Sequence, residues 1–110
     1  MKRQSRNSST TSSGGSSLDG TLWYVLSGSR GDASRARLLR EVGNRPQNAN
    51  QLSTTLDLDY STIRHHLDVL AEHEIVEQHG DGEYGSIYTP TSAVKREWQR
   101  VTEIIEKVSE

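Results

Sequence analysis

The segment from Asn48 to Leu70 constrains the fold most, because it reads as two short helices with almost nothing between them. Asn48 opens a capping arrangement: its side chain can accept from the third backbone amide onward while Gln51 reaches back, and Leu52 and Leu56 then supply an apolar stripe. A helix over about Ala49–Leu56 follows. Asp57, Leu58 and Asp59 form a brief connection with one apolar anchor, and Asp59 or Ser61 caps a second helix carrying Ile63, His66, Leu67 and Leu70. Ile75 and Val76 begin a strand, Gly80, Asp81 and Gly82 make a turn, and Ser86 to Thr89 alternates apolar and polar as a returning strand does. The predicted order is helix, turn, helix, hairpin.

The rest of the chain divides at about residue 17. Among the first seventeen of the 110 residues only Met1 is hydrophobic, and Ser8 to Ser17 is Ser, Thr and Gly throughout. Such a stretch buries too little apolar surface to offset the entropy of ordering it, so 1–17 is expected to be a flexible tail and 18–110 the single folded domain. The tail holds Lys2, Arg3 and Arg6 and no acid; the body keeps the other ten basic residues against fifteen acidic ones, a net of −5. Cysteine is absent, which excludes disulfides, cysteine-ligated zinc and a thiol nucleophile. No apolar run approaches the roughly 20 residues that cross a bilayer, and no secretory signal opens the chain. A cytoplasmic location is the expectation.

Before the central helices, Leu18, Leu22, Val25 and Leu26 with Trp23 suit a short amphipathic helix closed by Ser27 and Gly28. A second helix fits Ala33–Val42, capped by Asp32 or Ser34, with Ala36, Leu39 and Val42 inward, and ended by Gly43 and Pro46. The last helix is expected over Thr91–Ser109. There Val94, Trp98, Val101, Ile105 and Val108 are spaced four, three, four and three, a heptad seam over about two repeats. Packing back on its own domain is one use of that seam. A homodimer interface is the favoured one, since so much apolar area is large for a terminal helix of a small core.

The string Asn50-Gln51-Leu52-Ser53, then Leu56 to Leu70 and Glu74-Ile75-Val76, resembles the winged helix-turn-helix of ArsR-type transcription regulators, most of all the small haloarchaeal ones. The similarity runs over about Ala33–Thr89. The resemblance implies a mainly α fold with a small β-hairpin (α+β), a winged helix-turn-helix with a C-terminal dimerisation helix, and a helix over about 60–73 that enters the major groove of double-stranded DNA. Tyr60, Ser61, Arg64, His65 and Asp68 match the family's groove-facing positions.

The chemistry of these side chains agrees with that implication. Arg64 is the strongest candidate, because a guanidinium pairs in bidentate fashion with O6 and N7 of guanine; its plainer role is a surface pair with Asp68 four residues on. Ser61 and Thr62 can donate to a phosphate or simply cap the helix. Tyr60 can stack, touch a phosphate or pack against the preceding helix. His65 and His66 project about 100° apart, whereas a metal pair wants i and i+3 or i+4, so neither metal nor any other cofactor is expected.

The predicted wing, His79–Tyr84, holds Asp81 and Glu83 and no Lys or Arg, against the usual rule that wings meet phosphates. Ten Arg beside three Lys in an acid-rich chain resembles halophilic proteins, for which molar salt shortens the screening length to about 3 Å. The positive groups otherwise come from Arg30, Arg35, Arg37, Arg40, Arg45, Arg64 and the tail. A protein-interaction module that kept the fold without DNA is the alternative. The sequence offers no phosphate loop, serine elbow or metal quartet, so no enzyme is expected.

Overall fold

The computed structural model describes residues 15–27, 33–80 and 85–109. The elements are α1 (Gly15–Ser27), α2 (Ser34–Asn44), α3 (Ala49–Leu56), α4 (Tyr60–Glu72), β1 (Val76–His79), β2 (Ile87–Pro90), α5 (Ser92–Arg96) and α6 (Trp98–Ser109). One core joins them: Leu22, Val25 and Leu26 of α1, Leu38, Leu39 and Val42 of α2, Leu52 of α3, Ile63, Leu67 and Leu70 of α4, then Ile75, Tyr88, Val94, Val101, Ile104 and Ile105.

The central pair forms as its residues dictate. Asn48 Oδ1 accepts from the Gln51 amide at 2.8 Å and Gln51 Oε1 accepts from the Asn48 amide at 2.9 Å, a reciprocal cap that satisfies two otherwise orphaned donors. Asp57 ends α3 in the left-handed conformation (φ 56°), the Leu58 amide donates back to Ser53 O at 3.1 Å, and the Ser53 hydroxyl donates to Leu58 O. Ser53 thus ties both sides of the turn, and with it the direction in which α4 leaves.

The exit from α4 is equally determined. Glu74 is left-handed (φ 59°), its amide donates to Ala71 O at 3.0 Å and the Ile75 amide to Leu70 O at 2.9 Å. This is the paired closure that usually carries glycine, since a Cβ disfavours that backbone region. Thr91 then clips the hairpin to the same corner, its hydroxyl donating to Glu74 O at 2.9 Å and its amide to Ile75 O at 3.0 Å. Glu74→Gly is expected to raise the unfolding free energy by about 0.5–1 kcal/mol, readable as a higher urea midpoint at unchanged slope.

The hairpin is antiparallel, with Val76 opposite Pro90 and His79 opposite Ile87. Gln47 adds a bridge to Tyr88, whose amide donates to Gln47 O at 2.9 Å, and the buried Gln47 side chain donates in turn to Glu41 O at 2.9 Å. The wing is therefore anchored to the end of α2 as well as to α4.

Several expectations are revised. The first helix starts at Gly15, inside the stretch read as tail; residues 1–14 lie outside the described residues, as do 28–32, with Arg30 and the expected cap Asp32, and 81–84 of the predicted wing. The second helix is preceded by Ala33, which makes no side-chain cap bond, and it passes through Gly43 to Asn44. Gly43 is needed within the helix because the Trp98 indole lies against it: an added Cβ would stand 2.1 Å from Cη2. The terminal helix is two helices, broken at Glu97, whose amide bonds to Val94 O at 3.2 Å.

The seam is the largest revision. Val94, Val101 and Ile105 are fully buried in the chain's own core, with Trp98 and Val108 partly buried against it. Helix α6 packs on α1 and α2, and Arg100 fixes its register by pairing with Asp19 of α1 at 3.0 Å and with Glu103 at 2.9 Å. A small domain has few other places to bury this area, so the heptad spacing records intrachain packing.

Candidate nucleic-acid interface

Helix α4 has two faces. Ile63, His66, Leu67 and Leu70 are buried, while Ser61, His65 and Asp68, spaced four and three residues apart, form an exposed stripe on the opposite side. Tyr60, Thr62 and Arg64 lie half-buried between the two.

Arg64 is less open than a base-reading side chain is expected to be. Its Nη1 donates to the Tyr60 hydroxyl at 3.5 Å, one turn back. That bond is the main reason its pKa lies above the ordinary arginine value; burial opposes the rise, and the nearby Tyr88, Tyr60 and Asp68 side chains favour it more weakly. The guanidinium is thus permanently cationic, and Tyr60 holds it close to the helix start. Asp68 acts on it from a distance as the weakest of these neighbours.

His66 turns inward, and its Nδ1 accepts from Arg35 Nε at 3.1 Å while Arg35 Nη1 donates to Val25 O at 3.0 Å. Arg35, read from sequence as a possible surface cation, therefore links α1, α2 and the buried side of α4. The His65 and His66 rings, 5.7 Å apart, diverge as their spacing requires. Among the described residues no group of three or more His, Asp or Glu side chains could hold a metal ion.

A second polar surface escaped the sequence reading. Arg45 and the outer face of α3, Asn50, Gln51, Thr54 and Thr55, line a shallow groove beside the capping box. The signal was present as two uncharged pairs at i, i+4, Asn50 with Thr54 and Gln51 with Thr55, without the charge that draws attention to a surface. On the wing, exposed Glu77 stands 3.6 Å from His79, which also meets the Thr89 hydroxyl at 2.9 Å.

Residues 31–79 match a family model described as a helix-turn-helix domain, and these are the residues that build α2, α3, α4 and β1. The described residues add the antiparallel hairpin to those helices. The fold is a winged helix-turn-helix. The chain is similar to Rv0081 from Mycobacterium tuberculosis, at 21% identity and a TM-score of 0.63 over 87% of this chain and 92% of that one. It is similar to an ArsR-like transcriptional regulator from Rhodococcus, at 26% identity and a TM-score of 0.57 over 89% and 98% of the two chains. A homodimeric winged helix-turn-helix DNA-binding domain from Mycobacterium bovis, a possible ArsR-family regulator, aligns at 15% identity with a TM-score of 0.62 over 94% of each chain. A comparison with curated protein sequences gave no match.

Within this winged helix-turn-helix, α3 is the positioning helix and α4 the second, presented helix. The 61–65–68 stripe occupies the exposed face of α4, and the Arg45–Thr55 groove lies on α3, which packs against α4.

Proposed function

We propose that the protein is a DNA-binding transcription regulator of ArsR type that reads the major groove with α4. The observation that carries this is the exposed stripe Ser61, His65 and Asp68 on a helix whose opposite face is sealed into the core. Arg64 reads a guanine, Ser61 and Thr62 meet phosphate at the helix start, and the Arg45–Asn50–Thr54 surface contacts the backbone beside it. Tyr60 acts chiefly through Arg64, whose guanidinium it holds.

The protein works as a homodimer, so that two copies of α4 reach half-sites about 34 Å apart. With the seam of α6 spent internally, the surface left for a mate is the α1–α6 junction. Trp23 stands there, 39% exposed and one turn on from Asp19, which Arg100 of α6 contacts. The acidic, Lys-poor body fits a halophilic, archaeal setting, in which binding is driven by short-range contacts more than by net charge.

Selection from a random DNA pool in molar KCl tests the proposal. Enrichment of a two-fold related sequence is expected, and a pool that stays random would overturn it. Exposed Glu77 on the wing supports the competing reading, an interaction module that no longer binds DNA. A stoichiometric protein partner, together with an unenriched pool, would favour that reading.

A further inference from the structure

A cleft of about 460 Å³ lies between the end of α1 and the end of α4. Buried Val25 and half-buried Val69 line it together with Tyr24, His73 and half-buried Arg35. The two rings are 6.0 Å apart and tilted by 56°, and Tyr24 is 73% exposed, with no covering element among the described residues. His73 is held in place because its Nδ1–H donates to Val69 O at 3.0 Å.

Arg35 gives the cleft its chemistry. It is half-buried, and both of its hydrogen-bond partners, the Val25 carbonyl and the His66 ring, are neutral. Among the described residues no carboxylate stands within ion-pair distance of it. Two of a guanidinium's five N–H donors are engaged, which leaves donors for an anion. A partly desolvated cation without a counter-charge is costly, and an anion delivered to it gains more than it would at an exposed site. Glu72 is the opposing charge, but it sits exposed on the rim, where water screens it.

We infer that this cleft binds a small organic anion with a flat apolar body, its carboxylate on Arg35 and its ring against Tyr24, Val25 and Val69. The cleft has ample room for a ligand of that size. The inference stands apart from the DNA-binding reading and is tested without DNA.

The test is a titration of the full-length protein with benzoate, followed by the backbone amide resonances of Val25, Val69 and His73. Saturable shifts at these positions are expected. Acetate, which lacks the ring, and benzamide, which lacks the charge, should each bind at least roughly 10-fold more weakly. Tyr24→Ala, a substitution at an exposed position, should weaken benzoate roughly 2- to 10-fold with the fold retained. Arg35→Gln should weaken it roughly 10- to 100-fold. Because Arg35 also joins α1 to α4, Tyr24→Ala decides alone if the arginine variant does not fold. Unmoved resonances, equal binding of acetate or benzamide, unchanged affinity in Tyr24→Ala, or a preference for benzamidine over benzoate would each overturn the inference.

Discussion

Ile105→Ala is expected to lower the unfolding free energy by about 2–5 kcal/mol, the usual cost of removing a large aliphatic side chain from a closed core. Ile105 is wholly buried by its own chain, on the face of α6 that packs against α1 and α2. The loss combines the transfer energy of the missing methyl and methylene groups with the cavity left behind, and the packed helices around it have little freedom to collapse. Urea unfolding measures it. If the seam instead served a mate, the variant would chiefly weaken association, and the difference from wild type would grow on dilution. A difference that stays the same across a hundredfold range of protein concentration supports intrachain packing; one confined to dilute samples would restore the seam to the interface.

Arg64→Ala is expected to cost about 1–3 kcal/mol of affinity for the selected site and to relax preference at one base position. The wild-type side chain arrives already charged and partly ordered by Tyr60, so little rotamer freedom is lost on binding. Tyr60→Phe separates the two roles: it keeps the ring and the guanidinium but removes the hydroxyl, and should weaken the same site by a smaller amount without changing its sequence. Fluorescence titrations of selected and scrambled duplexes supply the readout. Equal losses on both duplexes in Arg64→Ala would reduce Arg64 to a phosphate contact, and no loss on either would remove it from the interface.

The parts of the fold that were legible in the sequence were those governed by neighbours along the chain. Asn48 and Gln51 set the start of α3 by a local reciprocal bond, and the apolar spacing of Ile63, Leu67 and Leu70 set the buried side of α4. What remained illegible depended on contacts between distant segments. Gly43 reads as a helix stop, yet it is held inside α2 by Trp98. The 3.5-residue rhythm of the last segment cannot say whether the covering surface comes from the same chain or another, and here α1 and α2 provide it. Arg35 illustrates the same limit for the site. Its position on α2 gives no hint that its guanidinium reaches both the Val25 carbonyl and His66, because that depends on where α1 and α4 cross.

The indole resting on Gly43 also makes the protein its own optical probe. The molecule contains two tryptophans, one wedged between α2 and α6 and the other standing at the rim of α1. Their emission should differ in colour, the sheltered ring toward the blue and the wetted one toward the red. A mate settling on the α1–α6 junction would shift chiefly the second, whereas loosening of the terminal helix would redden the first, so assembly and local fraying leave different spectral signatures in one unlabelled sample.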